Sequence, residues 1–262
     1  MKARLLTIYL VSAIGIFLLS SALTAATLED IIDTTLAFSP GDQLTLANTN
    51  GEIEVVSWDR AEIRIEAHKR ARARGDQDVQ AALDKLKVVI DEVSGGVTID
   101  TKFPASGVGG WTGNKVSLSV DYRITVPRQA DLDIDTVNGQ VGVRGVSGDI
   151  DIDTTNGRIE VTDSAGQVSA KSTNGGISIE LAEVNSGESM IFQTTNGGVT
   201  LSLPSSVRAS LTARTTNGTI ETDFPITVKG KMSRTRLDGE INGGGGEIDI
   251  KTTNGGIRIR EI

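Results

Sequence analysis

The chain has 262 residues, a formal net charge of −8, 30 Gly, one His and no Cys. The absence of Cys excludes disulfides, thiolate metal sites and Cys nucleophiles, and a single His excludes multi-His metal centres. The acidic balance argues against a nucleic-acid partner, because phosphate binding needs clustered Lys and Arg. Abundant Gly with only 3% aromatic residues favours many tight turns around a thin aliphatic core.

The first 26 residues are typical of an export signal. Two basic residues precede an apolar run over 5–19, and small residues then lead to Ala26. These features predict a signal peptide over residues 1–26, cleaved between Ala26 and Thr27. The alternative is an uncleaved N-terminal anchor, although the run is shorter than the ~20 residues of a membrane span. Either way we expect an extracytoplasmic protein, in the periplasm, on the cell surface or secreted.

Residues 27–128 predict a mainly-β segment with one helix. Apolar and polar residues alternate on both sides of Asn50-Gly51, which predicts two half-buried strands joined at a turn. Further along, apolar residues recur at helical spacing and predict a helix over about 76–89. The loop GVGGWTG (107–113) lacks the Lys of a phosphate-binding loop, and no helix follows it. We interpret it as an inter-strand loop.

Two charged groups have alternative interpretations. The basic run HKRARARG (68–75) is either a solvated strand end balanced by nearby acids or a contact for anionic headgroups or polysaccharide. Alternating acids in the repeat region are interpreted as the solvent-exposed residues of two strands, and the alternative is a weak calcium site between coils. These acids are Asp131, Asp133, Asp135, Asp149, Asp151 and Asp153.

Residues 129–262 contain a repeated unit. Asn-Gly recurs from Asn138 at intervals of 18, 18, 22 and 21 residues, within similar text such as DTTNGRIEV (153–161) and KTTNGGIRI (251–259). Alternating apolar and polar residues flank each pair and predict half-buried strands. Asn and Gly adopt positive φ at little cost, which favours a turn at each pair. The predicted repeat turns are Asn138-Gly139, Asn156-Gly157, Asn174-Gly175, Asn196-Gly197, Asn217-Gly218 and Asn254-Gly255.

The repeat predicts an all-β fold in which residues 129–262 form a β-solenoid of about six or seven TTNG-type coils. The alternative is a meandering antiparallel sandwich with Asn-Gly hairpins. In sequence order the last coil ends the stack at Ile262, where only charges such as Arg258, Arg260 and Glu261 protect the edge. We interpret the run GGGGEIDI (243–250) as a connector before that coil.

The sequence resembles the putative-adhesin, β-strand-repeat family of bacterial envelope proteins, a domain of unknown function. The resemblance covers roughly 31–262. It rests on NGEIEVVSWDRAEIRIEA (50–67), the helix that follows, DYRITVPRQADLDIDTVNGQVGV (121–143) and the TTNG units. It implies a β-solenoid exposed to the envelope or exterior, and it assigns no ligand and no catalytic residue.

We therefore expect a non-enzymatic, exported cell-envelope protein, an adhesin-like solenoid that presents a repetitive surface for binding. Its expected partner is an envelope or surface component, either glycan or protein. We predict no nucleic acid, cofactor, metal or catalytic residue, and membrane contact only through an uncleaved anchor. The alternatives are an accessory of envelope-stress signalling and a polysaccharide-acting enzyme, which would need two convergent carboxylates in a groove.

Overall fold

The computed structural model describes residues 26–73, 79–104, 116–184, 187–230 and 232–262. The predicted signal lies outside these residues except for Ala26, and so does the loop over 107–113. Within the described ranges, no helix is long and apolar enough to cross a membrane.

The part before residue 129 is mainly β, as predicted. Its described helix is Val79–Lys85, and the sequence from Lys87 onward forms an antiparallel strand rather than the predicted end of the helix. The β-branched run KVVIDEV favours a strand there. The predicted start over 76–78 lies outside the described residues. The elements are β1 (Ala26–Ala37), β2 (Gln43–Ala47), β3 (Ile53–Trp58), β4 (Glu62–Ala73), α1 (Val79–Lys85), β5 (Lys87–Val93), β6 (Gly96–Lys102) and β7 (Ser117–Pro127).

The repeat region continues with pairs of short strands. They are β8 (Asp131–Asn138), β9 (Val141–Arg144), β10 (Ile150–Asn156), β11 (Ile159–Ala165), β12 (Val168–Asn174), β13 (Ile177–Glu183), β14 (Met190–Asn196), β15 (Val199–Leu203), β16 (Ala209–Asn217), β17 (Ile220–Thr222), β18 (Ile226–Val228), β19 (Arg236–Ile241), β20 (Gly246–Asn254) and β21 (Ile257–Glu261).

These strands form two long sheets that share one hydrophobic core. Sheet A has the order β1-β4-β7-β3-β9-β11-β13-β15-β21-β17, and sheet B has the order β18-β19-β16-β20-β14-β12-β10-β8-β2-β6-β5. Each coil places one strand in sheet B, turns at Asn-Gly and places the next strand in sheet A. The coils pair in parallel, so the turns are not hairpins and the solenoid prediction is confirmed.

The register stacks like residues on like. In sheet B, Ile152 pairs with Ile134 on one side and Ala170 on the other, and Asn156 pairs with both Asn138 and Asn174. Inward-facing aliphatic residues are fully buried, whereas alternate residues face solvent. Because the side-chain period of a strand is two, this register keeps every coil's apolar residues in the core.

The order of the coils departs from the sequence. The C-terminal coil, β20 and β21, lies between the coil of β14 and β15 and the coil of β16 and β17. The expectation that the chain's last coil forms the edge of the stack was therefore wrong. The edge strands at this end are β17 and β18.

The glycine run before the C-terminal coil forms a turn and the start of a strand. Asn242, Gly243 and Gly244 have φ values of 50°, 83° and 81°. Such left-handed geometry is accessible to Asn and Gly at low cost. Gly246 is buried and opens β20, where a Cβ would overlap the carbonyl oxygen of Glu188. These residues return the chain from β19 into the stack.

The N-terminal strands extend the same two sheets. Strands β2 and β3 form a coil beside β8 and β9, β6 and β5 extend sheet B, and β7, β4 and β1 extend sheet A. Helix α1 packs on β4 and β1. Both sheets thus run across residue 128 without a break, and the division of the chain into 27–128 and 129–262 stays a prediction.

Candidate binding surface

The turns align into an asparagine ladder. Within it, every Asn after Asn50 donates from Nδ2 to Oδ1 of the Asn in the adjacent coil; the first two of these bonds measure 2.6 and 2.9 Å. The four further bonds measure 2.7–2.8 Å. In spatial order the ladder consists of Asn50, Asn138, Asn156, Asn174, Asn196, Asn254 and Asn217. The side-chain amide suits this position because it is both donor and acceptor.

The turns need glycine because the backbones of adjacent coils lie too close together at this position to admit a side chain. A Cβ on Gly157, Gly175 or Gly197 would overlap the carbonyl oxygen of the turn glycine in the adjacent coil. The predicted reason, positive φ at each pair, holds only at Gly51 and Gly139, with φ values of 130° and 145°. The Asn residues of the ladder do not adopt positive φ. The Asn of each Asn-Gly pair is therefore explained by its hydrogen bonds in the ladder, and the Gly by its close contact with the adjacent coil.

Buried hydroxyls below the turns form an inner hydroxyl column. Ser172 donates to the Gly157 carbonyl over 3.1 Å, and Thr194 donates to the Gly175 carbonyl over 2.8 Å. Thr252 and Thr215 make the same bond to Gly197 and Gly255, each over 2.8 Å. The hydroxyls of Thr136 and Thr154 occupy the same column but have no hydrogen-bond partner.

The second threonine of each TTNG unit faces solvent. We call these residues the threonine row. Thr155, Thr173, Thr195 and Thr216 are exposed and Thr253 is half-buried, while Val137 takes the same place in its coil. The row runs beside the asparagine ladder, along the axis of the stack.

A basic row lies two residues before the threonine row on the outer face of sheet B. The pairing register brings Lys171, Gln193, Lys251, Arg214 and Arg236 side by side on β12, β14, β20, β16 and β19. An open groove of about 350 Å³ runs between the two rows. Its lining residues are Asp153, Lys171, Ser172, Thr173, Gln193, Thr194, Thr195, Lys251 and Thr253.

The acids form an acidic patch on sheet B, on β8 and β10. Asp133 pairs in register with Asp151, and Asp135 with Asp153. Partial burial raises the pKa of Asp133, and the charges of Asp135 and Asp151 raise it further. Partial burial also raises the pKa of Asp153, against the lowering effect of Lys171.

The acidic patch borders a groove of about 320 Å³ that contains Asp131, Asp133, Asp149 and Asp151. In the described part of the chain, no group of three or more His, Asp or Glu side chains is placed to hold a metal ion.

Two bases in the described part of the basic run, 68–73, are paired with acids, and Arg74 and Gly75 lie outside the described residues. The Nζ atom of Lys69 lies 2.8 Å from Asp30, and the Arg70 guanidinium contacts Glu29 at 2.9 Å and Asp121 at 2.6 Å. Strand pairing of β4 with β1 brings Glu29 and Asp30 opposite the bases, and pairing of β4 with β7 brings Asp121 close to Arg70. This geometry matches the interpretation of a strand end balanced by acids.

Sequence reasoning missed the basic row, although its signal is visible. The residue before each TTNG or STNG changes from Asp153 to Lys171, Gln193, Arg214 and Lys251 along the chain. What the sequence does not show is that Lys251 lies next to Gln193. The predicted cleavage residues Ala26 and Thr27 begin strand β1, and cleavage between them stays a prediction.

Comparison with solved structures finds similar chains at low sequence identity. A "putative cell adhesion protein" from Clostridium sporogenes is 11% identical, covers 88% of this chain and 100% of its own, and has a TM-score of 0.48. A "putative adhesin" from Bacteroides fragilis is 11% identical, with coverages of 88% and 97% and a TM-score of 0.42. A "putative lipid binding protein" from Parabacteroides distasonis is 11% identical, with coverages of 88% and 96% and a TM-score of 0.23.

No curated protein matches the chain. A family model does: the one for Toastrack DUF4097 matches residues 41–260. The match begins just before β2 and ends in β21, so it includes every strand of the two sheets except β1, and every Asn-Gly turn of the ladder. The chain is therefore a member of the Toastrack DUF4097 family.

Proposed function

We propose that this protein is an exported, non-enzymatic component of the cell envelope whose stacked coils bind a repetitive glycan or protein surface. The observation that carries the proposal is the regular outer surface formed by the asparagine ladder, the threonine row and the basic row. The asparagine ladder and the threonine row each repeat one functional group at the strand spacing of ~4.8 Å, and the basic row repeats long polar side chains, four of them cationic, at the same spacing. Such an array gives many weak contacts that add through multivalency.

The uniform orientation of the rows supports binding over catalysis. The polar side chains project from one continuous sheet face and its adjoining turns, and they follow the alternation of the strands. Acid–base catalysis instead needs groups that converge on one reacting atom. The acidic patch offers four aspartates in its groove and no Lys, Arg or His among the described residues that line it. A polysaccharide-acting enzyme would use one of these aspartates as the acid and another as the base, so an assay for released sugar ends decides between catalysis and binding.

The test uses purified chain from Ala26 onward, which contains every described strand and helix. It is mixed with isolated envelope fractions and with a set of neutral and acidic polysaccharides. The same samples are assayed for co-sedimentation and for release of new reducing sugar ends. We expect co-sedimentation that saturates, without release of sugar ends.

Two pairs of substitutions test which surface binds, one pair in the threonine row and a control pair elsewhere on sheet B. Thr173→Ala with Thr195→Ala removes two exposed hydroxyls from the threonine row, whereas Thr45→Ala with Thr98→Ala removes two hydroxyls from β2 and β6 on the same sheet. We expect the first pair to weaken co-sedimentation and the second pair to leave it unchanged. Release of sugar ends, or an equal effect of the two pairs, would contradict the proposal.

A further inference from the structure

Apart from Asp153, which pairs in register with Lys171, the groove between the basic row and the threonine row is lined by hydrogen-bond donors of positive or neutral charge. Lys171 and Lys251 supply ammonium groups, which only donate, and Gln193 supplies an amide. The hydroxyls of the threonine row face them across the groove. Asp153, at the β10 end, is the one acid among the lining residues. A ligand for this groove must therefore bring acceptors and negative charge.

The charge of the row is only partly compensated. Arg236 lies 2.7 Å from Asp238, and Arg214 lies 3.8 Å from the same carboxylate. Lys251 has no ion-pair partner among the described residues, and its register neighbours are Gln193 and Arg214. Like charges on adjacent strands are unfavourable unless a counterion binds. An anion placed over β20 would relieve this repulsion.

The row has the shape of a polymer site rather than of a site for one small anion. Its cations lie on β12, β20, β16 and β19, so they extend along the axis of the stack over about four strand spacings, or ~19 Å. A linear polyanion that follows this axis meets several cations at once. Multivalent contact of this kind raises affinity without requiring a deep pocket.

We propose that this groove binds a linear anionic polysaccharide, a sugar chain that carries carboxylate, sulfate or phosphate groups. The inference rests on the proposed function and names the ligand class of the same surface. Sugar hydroxyls match the Thr and Gln side chains, and the anionic groups match the lysines. An anionic membrane fits less well, because no apolar side chain lines the groove to enter the bilayer.

The position of Lys251 in the groove depends on the order of the coils. Lys251 reaches the groove through the insertion of β20 beside β14, 58 residues from its register partner Gln193 (251 − 193). In sequence order, β16 would lie beside β14 and Arg214, which contacts Asp238, would take that place. The insertion therefore puts an unpaired cation at the middle of the row.

The experiment measures binding of the purified protein to polygalacturonate, dextran sulfate and neutral dextran by calorimetry at low salt. The variants are Lys171→Ala, Lys251→Ala and their combination. The matched control is Lys85→Ala with Lys87→Ala, which removes the same charge at the opposite end of the molecule. Lys251→Arg keeps the charge. Vesicles of phosphatidylglycerol and phosphatidylcholine test the membrane alternative.

We expect both acidic polymers to bind and neutral dextran not to bind. Each Lys→Ala substitution should weaken binding about tenfold, the size of one charge-assisted hydrogen bond, while the control pair and Lys251→Arg change it little. Binding should also weaken steeply as salt is added. A response to carboxylate but not to sulfate, or the reverse, identifies the group within the same class.

Three results would overturn the inference: binding of neutral dextran as strong as that of the polyanions, full binding by the Lys171→Ala/Lys251→Ala variant, and binding to vesicles but to neither polymer. If the polymers fail to bind while envelope fractions still co-sediment with the protein, this inference is wrong and the proposed function stands. If co-sedimentation fails as well, both are wrong.

Discussion

Two groups of coils in the stack differ in how the chain reaches them. The coils from β8 to β15 follow each other in sequence, and each packs on the coil made just before it. The C-terminal coil, β20 with β21, is made last but packs between two earlier coils. Both groups share the register, the asparagine ladder and the contacts of the turn glycines.

A TTNG unit therefore determines the structure of its own coil but not the position of that coil in the stack. The unit determines the conformation of one coil and the rows in which its residues lie. It does not determine the neighbours, because every coil offers the same parallel edge to the next. In this protein the order is set by the intervening segment, where β18 and β19 continue sheet B beyond β16 in antiparallel pairing. The slot between β14 and β16 is then filled by the end of the chain.

The largest expected effect comes from disrupting the inserted coil. Ile250 is fully buried in β20, so Ile250→Asp buries a charge without a partner and should destabilise the protein by about 4 kcal/mol or more. Because β16 packs on β20, hydrogen exchange should report loss of protection over 209–241 together with 246–261. Urea unfolding gives the change in the free energy of unfolding.

The control for this substitution is Ile191→Asp on the adjacent strand β14. Ile191 is 40% exposed on the outer face. Its replacement places an Asp opposite Asp249 of β20 and should lower the free energy of unfolding by about 1 kcal/mol, well below the cost at Ile250. If Ile250→Asp removed protection from 246–261 alone, the C-terminal coil would be a terminal coil and the comparison would fail.

The next effect concerns the turn glycines. A Cβ at Gly255 would overlap the carbonyl oxygen of Gly197, and a Cβ at Gly197 would overlap that of Gly175. Gly255→Ala and Gly197→Ala should each cost about 1–3 kcal/mol, the range for inserting a carbon into a packed site. Equal costs would mean that the inserted and the sequential coils make the same contact.

Gly142→Ala is the matched control for the turn glycines, since a Cβ there meets no atom within 4 Å and the backbone is not left-handed. This variant should be neutral or stabilise the protein by up to about 1 kcal/mol. Thermal melting of the three variants measures the difference. A Gly197→Ala protein as stable as Gly142→Ala would show that the coils can separate to admit a methyl group.

The sequence predicted the coils well and their order not at all. Alternation around the Asn-Gly pairs, as in 150–161, indicated the strands and their inward faces, because a period of two allows one buried face. The order depends on tertiary packing that no short pattern encodes. The helix was predicted too long for a related reason: pairing with β6 recruits Lys87–Val93 into sheet B.

For the candidate site, the composition of the rows could be predicted and the adjacency could not. The residue before each TTNG is visible in the sequence, so a row of Asp153, Lys171 and Gln193 follows from the coil repeat alone. The neighbour of Gln193 depends on which coil comes next, and only the structure places Lys251 there. The role of the turn glycines was also misjudged, because contact between coils is a property of the stack.

A smaller effect is expected in the inner hydroxyl column. The hydroxyls of Thr194, in a sequential coil, and Thr252, in the inserted coil, each donate over 2.8 Å to a glycine carbonyl. Thr194→Val and Thr252→Val should therefore each cost about 1 kcal/mol. Thr154→Val removes a buried hydroxyl without a partner and should be neutral or slightly stabilising. Urea unfolding of the three variants measures these costs, and a larger cost for Thr154→Val than for Thr194→Val would contradict the assignment.

The smallest effect concerns the outer face, where acids of sequential coils stack and the inserted coil breaks the pattern. Asp133 pairs in register with Asp151, and its raised pKa means that the folded protein holds the proton more tightly than the unfolded chain does. Its contribution to stability is therefore complete below the ordinary value of 3.8 and is lost as the pH rises through the folded-state pKa. Asp133→Asn should raise the melting temperature at pH 7, and the gain should disappear near pH 3.

Asp249 is the matched residue on the inserted coil, where its register partners are Ile191 and Thr212 rather than acids. Asp249→Asn relieves no repulsion from a neighbouring strand, so it should leave the melting temperature at pH 7 close to that of the parent protein. Melting curves of both variants at pH 7 and pH 3 test the contrast. An equal gain from both substitutions would mean that the overall charge of −8, rather than the stacking of acids on sequential coils, destabilises this face. A gain from Asp133→Asn alone would show that the order of the coils sets the electrostatics of sheet B.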